Sequence, residues 1–304
     1  MKSKIIIPGG SGFIGTYVAH SFAKKDYEVI ILTRGKARKN NNITYLNWDG
    51  KNLGKWITTF ENADLILNLS GKSVDCRYND SNKKKILNSR VDSTKIIGKA
   101  IKGCIIPPKV WINMSTATIY EHTQEGQAND ETNGVIGDDF SMGVAKAWEA
   151  TFNEIYLRDT RKIIIRTSIV LGKDGGALLH LKPLVKFGLG GKNGSGKQFV
   201  SWIHVDDLAK MIEWFLINPK TNGVYNCTSP TPIPNHVFMK KLRNTFGVPF
   251  GLPSMEWMLE IGCFFLRTES ELVLKSRKVI PKRALEEGFV FQYKELEEAL
   301  SHQN

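Results

Sequence analysis

Lys4-Ile-Ile-Ile-Pro-Gly-Gly-Ser-Gly-Phe-Ile-Gly15 is the stretch that decides the fold. The apolar run Ile5 to Ile7 reads as a buried strand, and a helix follows with Ile14, Tyr17, Val18 and Phe22 on one face. Between them, Gly9 permits a tight turn, Gly12 lets the backbone approach a pyrophosphate, and Gly15 lets helix and strand pack closely. Free N–H groups and the positive end of the helix dipole then face an anion. An ordinary turn also carries glycines; the strand before and the helix after separate a dinucleotide cradle from it.

Glu28-Val-Ile-Ile-Leu-Thr33 reads as the second strand. A carboxylate near its end would hold the ribose 2′-hydroxyl of NAD, yet none stands between Val29 and Asn42. Thr33-Arg34 closes the strand, with Lys36, Arg38 and Lys39 behind it. A guanidinium suits a 2′-phosphate through paired, charge-assisted hydrogen bonds. The alternative is a set of solvated loop charges. The expectation is NADP(H) in preference to NAD(H).

Further strands are expected at Ile43 to Leu46, ending at Trp48-Asp49, at Asp64 to Asn68, breaking at Leu69-Ser70-Gly71, at Lys109 to Thr116, and at Lys162 to Leu171. Helices are expected at Asp80 to Lys102 and Phe140 to Tyr156. This alternation predicts an α/β fold with a doubly wound parallel sheet. Proline and glycine become frequent in the second half, where β-like runs (Gln198 to His204, Gly223 to Cys227) sit among helical pieces. The helical pieces are Leu208 to Ile217, with Asp206 as N-cap, Asn235–Phe246, Met255–Leu266 and Tyr293–Leu300.

The 304 residues, 41% hydrophobic, suffice for one large or two medium cores. No run of 18 apolar residues suggests a membrane span, and the first strand starts too early for a signal peptide. Cys76, Cys104, Cys227 and Cys263 lack metal or redox spacing and read as free thiols, so a cytoplasmic protein is expected. The net charge of +12 is most visible at Lys83-Lys84-Lys85 and Arg34 to Lys39. Aromatics are not interleaved with these runs, which argues against nucleic acid. Gly191-Lys-Asn-Gly-Ser-Gly196-Lys197-Gln198 imitates a phosphate-binding P-loop, but Gln198 replaces the Mg²⁺-binding Ser or Thr and a strand-like run follows.

Pro8-Gly-Gly-Ser-Gly-Phe-Ile-Gly15 resembles the Thr-Gly-Gly-Thr-Gly-Phe-Ile-Gly signature of extended short-chain dehydrogenases/reductases. The chain further resembles the YfcH-like, nucleoside-diphosphate-sugar epimerase-like group in an ordered series of segments. These include Asn68-Leu-Ser-Gly71, Asn88-Ser-Arg90, Trp148-Glu149, Asp174-Gly-Gly176, Trp202-Ile-His-Val-Asp-Asp-Leu208 and Val279-Ile-Pro-Lys-Arg-Ala-Leu285. The resemblance implies a Rossmann domain over 1–171, on which 198–227 packs back, and a smaller α/β substrate domain over 172–304. It implies that Gly9, Ser11, Gly12, Phe13, Ile14 and Gly15 follow the pyrophosphate, that Thr33 and Arg34 meet the 2′-phosphate, that Asp49 approaches the adenine, and that Leu69, Ser70 and Gly71 pass the ribose. It also implies a small-molecule substrate, a nucleotide sugar among the options, and a homodimer.

Reductases and epimerases of this kind use a Tyr-x-x-x-Lys pair, in which lysine lowers the phenol pKa and tyrosine exchanges a proton with the reacting oxygen. No tyrosine here is followed by Lys four residues on, and Met142 stands at the tyrosine position relative to Lys146. The substitutes suggested by resemblance are Tyr120 as proton carrier and Ser115 or Thr116 as orienting hydroxyls. Lys146 either holds the nicotinamide ribose or is a solvated helix residue; Tyr120 either reacts or packs. Trp202 and His204 are expected to shape the cleft, and Arg166 to pair with a phosphate or with a carboxylate. Two function classes follow: an epimerase-like NADP(H) oxidoreductase acting on a hydroxyl or carbonyl, or an NADPH-binding protein without redox turnover.

Overall fold

The computed structural model describes residues 2–173, 175–266 and 269–301. Asp174 of the Asp174-Gly-Gly176 segment and the Cys263 side chain lie outside the described residues. The chain opens with β1 (Lys4–Pro8), α1 (Phe13–Lys24), β2 (Glu28–Thr33), β3 (Arg38–Asn40) and β4 (Ile43–Asn47). It continues through β5 (Leu65–Asn68), α2 (Asp80–Lys102), β6 (Val110–Thr116), α3 (Phe140–Glu154) and β7 (Arg161–Thr167). The second half holds β8 (Ile169–Gly172), β9 (Gly175–Gly176), α4 (Ala177–Lys186), β10 (Phe199–Val200), β11 (Trp202–His204), α5 (Val205–Ile217) and β12 (Gly223–Cys227). It ends with β13 (Ile233–Pro234), α6 (Asn235–Thr245), α7 (Glu256–Leu266), α8 (Glu271–Leu274), α9 (Lys282–Glu286) and α10 (Leu296–Ser301).

One eight-stranded sheet, in the order β12-β7-β6-β5-β1-β2-β4-β3, organises the chain. All its pairings are parallel except β3 with β4. Successive residues of the inner strands point to opposite faces, and both faces are covered. Ile5, Ile7, Val29, Ile31, Leu65, Leu67 and Ile112 enter one core with Val18 and Phe22 of α1 and Met211, Ile212 and Phe215 of α5. Ile6, Ile30, Leu32, Ile66 and Trp111 enter the other core with Ile97 and Ile101 of α2 and Phe152 of α3. A third core joins Leu171, Leu178, Trp202, Phe238, Leu242 and Leu296, outside the main sheet.

The structure departs from the sequence reading at several points. Arg38 and Lys39, read as loop charges, form the short, charged edge strand β3, with the Arg38 guanidinium 4.1 Å from the Tyr45 ring centroid. Charge on an outer strand discourages further strand pairing. The single strand expected from Lys162 to Leu171 divides at Ser168. Ser168 N donates to Cys227 O of β12, whereas Ile169 N donates to Ser201 O beside β11. The chain thus leaves the main sheet for the three-stranded sheet β11-β8-β9. Tyr17 is not on the buried face of α1, which consists of Gly15, Val18, Ala19 and Phe22; its hydroxyl instead donates to Asp206.

Asp206 is not the N-cap of α5. The helix begins at Val205, and His204 Nδ1 accepts from Asp206 N at 3.2 Å. Asp206 and Asp207 therefore occupy the first turn, where negative charge meets the positive helix end. Asp207 is fully buried and accepts from Gln292 N (2.8 Å) and Tyr293 N (2.9 Å), tying the C-terminal segment to α5. Asp207→Ala leaves both donors without a partner and should lower unfolding free energy by about 2–4 kcal/mol, read from urea denaturation. An unchanged midpoint would mean that the tie contributes nothing.

Candidate functional site

The order of the main sheet reverses between β1 and β5, so the loops leaving their carboxyl ends diverge and open a crevice. Gly9, at φ +74°, lies at the base; a Cβ there would stand 2.7 Å from Ser70 Cα, so the two loops are in backbone contact. A Cβ on Gly15 would stand 2.4 Å from Gly10 Cα. Gly15 therefore seats α1 on the turn, rather than on the strand as the sequence pattern suggested. Gly12 is the extended N-cap of α1 and makes no side-chain cap, and a Cβ on it would meet nothing within 4 Å. Thr16 N is the donor that bonds Gly12 O, at 2.9 Å. First-turn N–H groups have no partner inside a helix, so those of Phe13 and Ile14 remain for an anion in that open space.

Only the backbone of Phe13 serves this cradle. Its ring instead packs against Gly172, Gly175 and Gly176, where added Cβ atoms would come within 2.5, 2.2 and 3.1 Å of it. Ile14 packs on the core beneath. Beside the cradle, Thr33 Oγ1 donates to Ser11 Oγ at 3.2 Å and accepts from Gly35 N. Asn47 Nδ2 donates to Arg34 O (3.2 Å) and Gly35 O (3.0 Å). The Arg34 backbone is thus fixed, while its exposed guanidinium makes no hydrogen bond or ion pair among the described residues. Asp49 closes a local turn: its carboxylate accepts from Asn52 N and Lys51 N, which pushes its pKa down to about 2. Both carboxylate oxygens are occupied by this turn, since Asn52 Nδ2 donates to Oδ2.

On the β5 side, Leu69 N donates to Pro8 O, and Ser70 N donates to Asn68 Oδ1. The Ser70 hydroxyl is buried without a hydrogen-bond partner. A buried, unpaired hydroxyl at the lip of a crevice is the mark of a group awaiting a ligand atom. The Arg90 guanidinium carbon would be 3.1 Å from a Cβ on Gly71, so Gly71 is glycine for lack of room.

The proposed catalytic positions divide. Ser115 and Tyr120 are built into a buried ion pair. Arg166 Nη2 and Nε donate to Glu149 Oε2 (2.7 Å) and Oε1 (3.0 Å). Ser115 Oγ donates to Glu149 Oε1 (2.6 Å), and Arg166 Nη1 donates to Tyr120 OH (2.8 Å), which donates to Asn226 Oδ1 (2.9 Å). Burial alone would make Arg166 release its proton more readily; the Glu149 hydrogen bonds and charge outweigh it and raise the guanidinium pKa. Burial also pushes up the Tyr120 pKa, against the lowering effect of Arg166. At 1% exposure and with its hydroxyl engaged on both sides, Tyr120 is a packing residue and not a proton carrier. Of the two open partners for Arg166, the carboxylate is the one present.

Met142 is held where it cannot face a substrate. Its sulfur accepts from Asp139 N (3.4 Å) while Asp139 Oδ1 accepts from Met142 N (2.8 Å), closing the cap of α3. Lys146 pairs with exposed Asp138, on the solvated side. Trp202 and His204 are corrections as well. Trp202 is fully buried in the third core with Nε1 on Thr231 O, and His204 is buried as the α5 cap, so neither lines an open cleft.

Thr116 and Thr118 remain at the end of β6. Thr118 N donates to Thr116 Oγ1 (3.1 Å), Thr116 Oγ1 donates to Thr118 Oγ1 (2.9 Å), and Arg277 Nε donates to the same Thr118 oxygen (3.2 Å). With two donors on its oxygen, Thr118 keeps its own proton to give. Thr118, Glu149 and Arg277 were not foreseen as site residues; each acts through contacts that no local spacing reveals. Among the described residues, no group of three His, Cys, Asp or Glu side chains could hold a metal ion. A depression of about 740 Å³ between Lys2, Lys4, Glu28 and Lys39 opens at the opposite, amino ends of β1 and β2, away from the glycine cradle.

Residues 5–228 match the model of the NAD dependent epimerase/dehydratase family, and residues 256–303 match a domain of unknown function, DUF1731. The chain is 32% identical over 298 residues to the epimerase family protein YfhF of Bacillus subtilis, covering 98% of this chain and 96% of that protein. It is 30% identical over 302 residues to the human epimerase family protein SDR39U1, covering 98% of each. The crystal structure of human SDR39U1 (isoform 2) with NADPH superposes with a TM-score of 0.87 at 28% identity, covering 98% of both chains. Among the described residues, no helix is long and apolar enough to cross a membrane.

Removing one partner of a buried pair strands the other charge. Arg166→Leu should therefore destabilise the fold by about 3–5 kcal/mol, whereas Arg166→Leu combined with Glu149→Leu should recover much of that loss. Urea unfolding of the two variants checks this; equal losses would show that the ion pair is not what the single substitution breaks.

Proposed function

The chain belongs to the NAD dependent epimerase/dehydratase family, and from that premise we propose that it binds NADP(H) in preference to NAD(H) and exchanges a hydride with a hydroxyl or carbonyl carbon of a small molecule. The residues present suit the cofactor. The open space at Gly12 and the first-turn N–H groups of α1 fit a pyrophosphate, and the unpartnered Ser70 hydroxyl fits a ribose. The observation that carries the preference is Arg34, whose guanidinium is free at the end of β2 with no carboxylate nearby in the chain. The NADPH held by the similar human protein supports the same reading.

A nicotinamide bound in the crevice supplies or accepts the hydride. Thr118 holds the substrate oxygen with its remaining proton, and Thr116 fixes Thr118 in place. Residues 1–171 together with α5 and β12 hold the cofactor in this reading, and the third core shapes the substrate side. A nucleotide sugar is one substrate class compatible with the family. The rival reading is NADPH binding without turnover, favoured by one observation: Met142 caps α3 and Tyr120 is locked by Arg166, so the usual phenol is missing twice over. A crystal structure with NADPH and a bound substrate decides between the two. The rival stands if no hydroxyl or titratable group lies within about 3 Å of an oxygen next to the nicotinamide.

Calorimetric titration should give NADPH a Kd about 10–100-fold below that of NADH, the value of one or two charge-assisted hydrogen bonds to a phosphate. Arg34→Ala should bring the two affinities together. Equal affinities in the unmodified protein would remove the proposed preference.

A further inference from the structure

Three side chains from separate parts of the chain meet beyond the carboxyl ends of β5 and β6, and none has a natural partner. Arg90 of α2 spends Nη1 on the carbonyls of Lys72 (3.1 Å) and Ile86 (2.9 Å) and packs over the Trp148 ring. Arg277 spends Nε on Thr118 and Nη1 on Lys275 O at 3.4 Å. Neither guanidinium has a carboxylate within ion-pair distance, and neither has a further contact among the described residues. Tyr78 packs edge-on against Phe140, the first residue of α3, and its hydroxyl is buried with no hydrogen-bond partner.

The surrounding acids do not neutralise the pair. Asp139 and Glu271 lie within electrostatic reach of Arg277, but both are already bound by Lys275. Glu269 accepts from Tyr78 N and pairs with Arg77 at 3.7 Å. Burial pushes Arg90 down to about 10 and also lowers Arg277, and the Tyr78 phenol acts on both. Buried charge is normally paired, because an ion withdrawn from water without a counter-ion costs several kcal/mol. Two such cations beside an unpaired hydroxyl, on one side of a cleft, form half of an anion site. The phosphates of the cofactor are met elsewhere, at the Gly12 cradle and Arg34.

We infer that the substrate carries an anionic group, a carboxylate or a phosphate, which Arg277 and Arg90 bind beside the Thr116–Thr118 pair while Tyr78 donates to it. This rests on the cofactor reading above, because Thr118 then holds the reacting oxygen of the same molecule. The Nε bond from Arg277 to Thr118 links the two subsites: the guanidinium that fixes the anion also fixes the hydroxyl that meets the oxygen.

The test uses the full chain and begins with NADPH titration. Inorganic phosphate and lactate are then titrated calorimetrically into the NADPH-loaded protein. At least one should bind, and Arg277→Gln should weaken it tenfold or more while leaving the NADPH Kd within twofold; Arg277→Lys should restore part of the loss. Preference for phosphate identifies a phosphate ester, preference for lactate a hydroxy acid, and either supports the inference. Binding of neither anion, or equal binding by Arg277→Gln and the unmodified protein, overturns it. Failure of NADPH to bind sinks the cofactor reading instead, and the same anion titrations on the cofactor-free protein then judge the site. Melting curves check that Arg277→Gln is folded.

Discussion

The bidentate bond between Arg166 and Glu149 is the constraint on which the site depends. It joins β7 to α3, and through Ser115, Tyr120 and Asn226 it reaches β6, the turn after β6, and β12. Asn226 extends it once more, by donating to Ile280 O near the C-terminus. A buried ion pair of this kind adds little net stability over an apolar pair of similar volume, but it fixes one arrangement because each alternative leaves a charge unpaired. Here the arrangement sets where β6 ends relative to α3. The cost is chemical: the hydroxyls of Ser115 and Tyr120 are spent on structure.

With those hydroxyls withdrawn and the Met142 sulfur folded back onto its own helix cap, the reactive face beyond β6 is left to Thr116, Thr118 and Arg277. The cofactor cradle follows the ordinary physics of a helix N-terminus meeting an anion, and the side chains next to it do not follow the usual pattern. The two parts of the site are thus under different constraints. The glycine turn is dictated by backbone contact distances, whereas the substrate side is set by which buried cations lack partners.

The sequence was most legible where short-range geometry decides the outcome. The glycine turn, the strand before it, Arg34 and the span of α2 could all be read from adjacent residues. It was least legible where long-range pairing decides. Ser168 looks like the middle of one strand, and only the bond to Cys227 and the neighbouring bond to Ser201 show that the chain changes sheets there. Tyr120 and Ser115 resembled catalytic hydroxyls because their partners, Arg166 and Glu149, lie 46 and 34 residues away in the chain. Trp202 and His204 sat in a recognisable segment, yet that segment owes its pattern to a core and a helix cap.

Phe13 gives the molecule a mechanical link between its halves. Its backbone is the first residue of the anion-binding turn of α1, and its ring is clasped by Gly172, Gly175 and Gly176 of the β8–β9 hairpin, from which α4 departs. Contacts this tight leave the ring no slack, so a tilt of the hairpin must shift the N–H groups at the cradle. Occupancy at one end therefore biases geometry at the other, and by reciprocity the same coupling energy runs in both directions. Order of ligand binding becomes a property of three glycines and one aromatic ring.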